Sequence, residues 1–190
     1  KAIAIAPYRE EIYFHLANFL VETKQYRQAL DVLESLIAKD TKSPTAYYYT
    51  ARVYWEMKRP DKAKNYLLRA LELRNDFEPA MVYLAFYYEQ QKEYELAEKY
   101  YLAVLDNNPD NYEIRDKLAK FYLSLGQPEK AKAQFRLLYP QDTSESQMYK
   151  RMGMAYYEQK KCEQALNYFQ EGLNKNPQDS ELRYFLGASL

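Results

Sequence analysis

Residues 91–109 read QKEYELAEKYYLAVLDNNP, and the alanine of its Tyr-Glu-Leu-Ala segment, Ala97, decides the fold. An alanine three residues after a Tyr, Pro or Cys recurs as YRQA (Ala29), PDKA (Ala63), YELA (Ala97), PEKA (Ala131) and CEQA (Ala165). Each step is 34 residues, with no insertion or deletion. Other columns keep the same register. Small residues stand at Ala17, Ala51, Ala85, Ala119, Gly153 and Gly187, and Leu20, Tyr54, Tyr88, Tyr122 and Tyr156 follow three behind the first five. Leu33, Leu67, Tyr101, Phe135 and Phe169 form a third column. A fixed period of this length is the signature of a repeat array built from one supersecondary unit.

Within a unit the apolar residues recur at helical spacing. Met81, Leu84, Ala85 and Tyr88 share one helix face, and Leu96, Ala97, Tyr100, Tyr101 and Val104 share another. The small residue in each helix lets its neighbour approach closely. Prolines mark the boundaries: Pro44 and Pro79 open first helices, and Pro60 and Pro128 open second helices, where a missing N–H costs little. Pro140 falls near the end of an expected helix and should stop it early. One such pair cannot bury its apolar face alone, so successive pairs must stack.

This pattern resembles the tetratricopeptide repeat (TPR) family. Its succession of a large residue, Leu-Ala, Tyr, Tyr-x-x-Ala, an aromatic and Pro appears as Met81, Leu84-Ala85, Tyr88, Tyr94-x-x-Ala97, Tyr101 and Pro109. It appears again as Tyr149, Met152-Gly153, Tyr156, Cys162-x-x-Ala165, Phe169 and Pro177. The resemblance implies an all-α fold: a right-handed TPR superhelix (α-solenoid) of antiparallel helix pairs. Residues 1–9 then read as the tail of a preceding repeat. Complete repeats are expected at 10–43, 44–77, 78–111, 112–145 and 146–179, and 180–190 reads as the first helix of a further one. Both ends fall inside a repeat, so the chain reads as a piece of a longer array. The fourth unit is the least regular, with Arg115 where the first large residue belongs. In the family's columns, Tyr26, Tyr54, Tyr88, Tyr94, Tyr101, Tyr122 and Tyr156 are packing residues, and Cys162 a partly buried structural thiol.

Composition excludes other classes. Lys plus Arg and Asp plus Glu balance at 27 each, so no global field draws nucleic acid or an anionic membrane. Four glycines argue against a turn-rich β protein and against phosphate-binding loops. One cysteine excludes an internal disulfide framework and a multi-cysteine metal site. It fits the cytoplasm best and leaves the periplasm open. No apolar run reaches the roughly 18 residues of a membrane helix. His15 and Cys162 lie in different units, so a nucleophile–base pair is not expected, and no metal, nucleotide or cofactor motif is present. The chain is not expected to be an enzyme.

The positions left over carry the functional reading. On a first helix the second, fifth, sixth, ninth, twelfth and thirteenth residues face away from the core. In TPR proteins this face lines a concave groove that binds extended peptides or partner helices. Here it carries Phe14, His15 and Asn18 in the first unit, Tyr48, Tyr49, Arg52 and Trp55 in the second, and Tyr83 and Phe86 in the third. Further on it carries Lys117 and Lys120, then Lys150 and Arg151. The groove is expected to be aromatic first and basic later. It suits a partner segment with an apolar anchor followed by acidic residues. The competing reading is that the rings only stack across neighbouring first helices, and that the lysines pair with nearby carboxylates.

Two family chemistries fail residue by residue. A two-carboxylate clamp would need Lys, Asn, Asn, Lys and Arg where Phe14, Asn18, Tyr49, Pro79 and Tyr83 stand, and only Asn18 fits. An asparagine ladder would occupy His15, Tyr49, Tyr83, Lys117, Arg151 and Phe185, and none is Asn. The function expected is therefore a protein–protein interaction scaffold for a protein or peptide ligand. The alternative is an architectural segment that self-associates end to end with the groove unused.

Overall fold

The computed structural model describes residues 10–39, 42–138, 140 and 144–188. The expected repeat tail at 1–9 lies outside them. The described residues form eleven helices and no strand: α1 (Glu10–Glu22), α2 (Tyr26–Lys39), α3 (Pro44–Glu56), α4 (Pro60–Leu73), α5 (Glu78–Gln90), α6 (Tyr94–Asn107), α7 (Tyr112–Ser124), α8 (Pro128–Leu138), α9 (Glu145–Glu158), α10 (Cys162–Lys175) and α11 (Ser180–Ala188). After Asn107 the chain divides into two compact units. In the first, α1–α2, α3–α4 and α5–α6 are helix pairs, with α3 packed on α2 and α5 on α4. In the second, α7–α8 and α9–α10 are pairs, α9 packs on α7 and α8, and α11 packs on α10.

One device makes every turn within a pair. Lys24, Lys58, Lys92, Gly126 and Lys160 hold the left-handed backbone conformation, with φ between 58° and 69°. These residues are spaced by the repeat. Each donates its N–H to the carbonyl three residues back, as Lys58 does to Trp55 at 2.9 Å. The next N–H reaches five residues back, as Arg59 does to Tyr54 at 2.9 Å. This pair of bonds satisfies carbonyls that a helix end leaves open. Four of the five positions carry Lys where glycine would be free of strain.

The other ends are fixed locally. The Ser43 hydroxyl accepts from the Ala46 N–H, the Asn111 side chain from Ile114, and Asp179 from Leu182. α8 has 11 residues against 14 in α2, α4, α6 and α10, and Pro140 stands just beyond it. Arg115, the odd residue of the fourth unit, donates to the Pro109 carbonyl at 2.6 Å and to Gln134. Arg183 in the same column of α11 donates to the Pro177 carbonyl. The guanidinium thus ties the start of a first helix to the preceding proline turn.

The core follows the columns. Ala17, Ala51, Ala85 and Ala119 are buried, as are Leu33, Leu67, Tyr101, Phe135 and Phe169. Gly153 is small for a reason: a Cβ there would lie 2.5 Å from two ring carbons of Phe169. Tyrosine hydroxyls find partners at the core's edge. Tyr87 donates to Asp61 at 2.7 Å, Tyr101 to Glu89 at 3.0 Å and Tyr156 to the Leu123 carbonyl at 3.2 Å.

Two expected packing residues are exposed, while Tyr26 and Tyr88 are half-buried against core residues. Tyr94 is 40% exposed, and Cys162, in the same column, is exposed. Both are the first residue of a second helix. A side chain there points back past the helix N-terminus, where no preceding turn covers it.

Candidate partner-binding site

The off-core face of the first helices is built differently in the two units. In the first, Phe14 and Asn18 on α1, Tyr48, Tyr49, Arg52 and Trp55 on α3, and Tyr83 on α5 are all half-buried, while Phe86 on α5 is 43% exposed. The structure joins these eight residues into one cluster. Phe14 stacks on Tyr49 with ring centroids 4.6 Å apart. Tyr49 meets Tyr48 edge-on at 5.5 Å, and Tyr48 meets Tyr83 the same way at 5.5 Å. Trp55 then bridges Tyr83 at 6.1 Å and Phe86 at 5.4 Å. The result is a ribbon of six rings crossing three neighbouring first helices. Each such pair adds about 0.5–1.5 kcal/mol beyond the area it buries. Burial pushes the Tyr48 phenol up to about 12, helped by the neighbouring Tyr83 phenol.

Arg52 lies against this ribbon. Its guanidinium carbon is 5.2 Å from the Tyr49 ring centroid and 5.9 Å from that of Tyr48. It donates to the Asn18 side-chain oxygen at 3.3 Å. Phe77, outside the expected face, joins from the end of the preceding turn. It is buried and meets Tyr48 edge-on at 5.8 Å. Its column otherwise holds polar residues, Ser43, Asn111, Glu145 and Asp179, three of which cap a helix, and that departure was the available sequence signal.

In the second unit the lysines of the same face stand in ion pairs, beside the exposed rings of Tyr157 and Tyr184. Lys117 pairs with Glu113 at 2.7 Å, and the hydrogen bond it donates holds the exposed Glu113 carboxyl below its usual range. Lys120 pairs with Asp116 at 2.8 Å and with Glu158 at 2.6 Å. Burial pulls the Lys120 ammonium down, but the hydrogen bonds to those two carboxylates outweigh it and hold it above its usual value. Lys150 pairs with Glu181 at 2.6 Å. Arg151 lines a small surface pocket with Lys120, Asp116, Met154 and Glu158. The basic half of the expected groove is thus largely neutralised by the chain's own carboxylates. Glu158 stands one repeat and one helical turn beyond Lys120, a spacing legible in the sequence.

Among the described residues no group of His, Cys, Asp and Glu could hold a metal ion. Among the described residues no helix is long and apolar enough to cross a membrane.

Stacked helix pairs with a side-chain face free of the core define a helical-repeat scaffold. Family models described as tetratricopeptide repeat match residues 20–85, 88–155 and 150–190. The chain belongs to the tetratricopeptide repeat family, and its fold is that family's all-α array of helix pairs. Solved structures agree on the fold. YrrB, described as a TPR protein with an unusual peptide-binding site, superposes with a TM-score of 0.64 at 22% identity, over 98% of this chain and 95% of that one. TTC0263, a TPR protein of Thermus thermophilus, gives 0.59 at 19% identity, over 95% and 98%. PilF of Pseudomonas aeruginosa gives 0.64 at 17% identity, over 94% and 87%. No curated protein is similar in sequence. The TPR array is a non-catalytic scaffold fold, and it supports protein–protein interaction as the general function of this chain.

Proposed function

We propose that the chain docks an extended protein segment on the first-helix face of its first unit. The observation that carries this is the ring ribbon from Phe14 to Phe86. Its members are half-buried rather than buried, and it ends on an exposed Phe86. Clustered Tyr and Trp with a nearby Arg are the side chains that anchor interfaces, because they offer large rigid area at low entropic cost. The ring contacts hold the surface in place before a partner arrives, which lowers the cost of binding. The likeness to YrrB, itself described as having a peptide-binding site, supports the reading. Lys117, Lys120 and Lys150 already have partners within the chain, so the docking surface proposed rests on the first unit.

Selection of short random peptides displayed on phage tests this. Panning on the wild-type chain should enrich peptides that a Trp55→Ala/Phe86→Ala variant does not capture, with helicity unchanged by circular dichroism. The same peptides captured equally by both proteins would remove the ribbon from the function. Trp55 is the sole tryptophan, so its emission should also shift when an enriched peptide binds.

A further inference from the structure

The ribbon holds a cation that no described carboxylate neutralises. The partners of Arg52 are two ring faces and the neutral Asn18 side chain. No described carboxylate pairs with it; even Glu56, one turn further along α3, makes no ion pair with it. The contrast with the second unit is direct, where Lys117, Lys120 and Lys150 each hold a carboxylate at 2.8 Å or closer. A guanidinium has five N–H donors in a rigid fork, and Asn18 engages one nitrogen of Arg52. The two rings and Asn18 restrain the guanidinium, and no described group accepts from its other nitrogens. A planar two-oxygen acceptor is the group such a fork fits.

Its surroundings say what should accompany the acceptor. Trp55 lies one helical turn beyond Arg52 on α3, and the exposed Phe86 rests on Trp55 at 5.4 Å. The ribbon also continues on both sides of Arg52, through Tyr49 to Phe14 and through Tyr48 to Tyr83. A chain laid along it passes Arg52 rather than ending there. We propose that Arg52 is the carboxylate-reading residue of the ribbon. Its ligand is an extended protein segment with an internal Asp or Glu beside an aromatic or large aliphatic side chain. The carboxylate lies on Arg52 and the apolar side chain on Trp55 and Phe86. This rests on the docking surface proposed above and specifies its partner.

The test uses the full chain and the peptides enriched on it. The strongest binder is synthesised with a fluorescent label and an amidated C-terminus, alongside a copy in which its Asp or Glu becomes Asn or Gln. Affinities by fluorescence anisotropy are compared for wild type, Arg52→Gln and Arg52→Lys. Arg52→Gln should weaken the acidic peptide roughly ten- to hundredfold, the range for a hydrogen bond to a charged group. It should leave the amide copy nearly unchanged, so the two changes should not add. Arg52→Lys should fall between. If Arg52→Gln loses helicity, the peptide change alone, measured on wild type, must still give a tenfold loss. Enriched peptides without Asp or Glu, or a loss identical for the acidic and amide copies, would overturn the assignment. So would acidic peptides that bind only with a free C-terminal carboxylate. Peptides that need Trp55 and Tyr83 but ignore Arg52 would overturn this inference and leave the docking surface standing. Peptides indifferent to Trp55→Ala and Tyr83→Ala would overturn both.

Discussion

The two units solve one problem with different side chains. Each must join neighbouring first helices along the face that the core columns do not use. The first unit does it with rings, Phe14 on Tyr49, Tyr48 on Tyr83 and Trp55 on Phe86. The second does it with charges, Lys120 to Glu158 and Lys150 to Glu181. The columns that make the helix pairs are nearly the same in both. The comparison teaches that the repeat fixes the core and leaves the off-core face free to vary. Ring contacts gain from dispersion and burial and are indifferent to salt. Half-exposed ion pairs gain little net and weaken as salt rises.

The largest expected effect tests that contrast directly. Tyr83→Ala removes the ring that links Tyr48 to Trp55, and should cost about 2–4 kcal/mol with little dependence on salt. Lys120→Ala should cost about 1 kcal/mol or less in low salt and nearly nothing in molar sodium chloride. Urea denaturation at both salt levels measures each, and equal costs for the two variants would break the comparison.

A smaller effect concerns the tight columns. In the first unit Ala51 shares a core with Leu67; in the second Gly153 faces the larger Phe169. Gly153→Ala should therefore destabilise by about 1–3 kcal/mol through overpacking. The same change at Gly187, where nothing lies within 4 Å of an added Cβ, should be neutral or stabilise by up to about 1 kcal/mol. Thermal melts of the two variants decide this, and a stabilising Gly153→Ala would show that Phe169 can move aside.

The smallest effect is in the turns. Lys58→Gly should stabilise the first unit by about 0.5–1 kcal/mol, and Gly126→Lys should destabilise the second by a similar amount. Opposite shifts in the urea midpoint are expected. Shifts of the same sign would mean that the Lys side chains, and not the backbone, set the stability of these turns.

Much of this was legible in the sequence. The period of the alanine column, the prolines at helix starts and the column of small residues that includes Gly153 all follow from periodicity. The exposure of Tyr94 and Cys162 is not legible in their column, because Tyr26 in the same column packs against the core. No preceding turn of its own helix lies over such a side chain, so a neighbouring element must cover it, as happens at Tyr26 and not at Tyr94 or Cys162. Phe77 was missed because it sits outside both helices of its repeat. The aromatic half of the candidate face was readable residue by residue. That its rings stack across neighbouring first helices was one of two readings the sequence left open, and the order in which they touch comes from the structure alone.

The sequence by itself determined the repeat, the helix pairs and which face of each helix meets the core. These depend on local backbone geometry, which a period of 34 states outright. Only the tertiary structure decided which of the remaining side chains are already engaged. Lys120 finds Glu158 from the next first helix, and Arg52 finds Asn18 and two rings but no carboxylate. Long side chains reach across repeats through several rotatable bonds. Their pairing depends on the distances between packed helices, and the sequence column that names a residue does not state what stands opposite it.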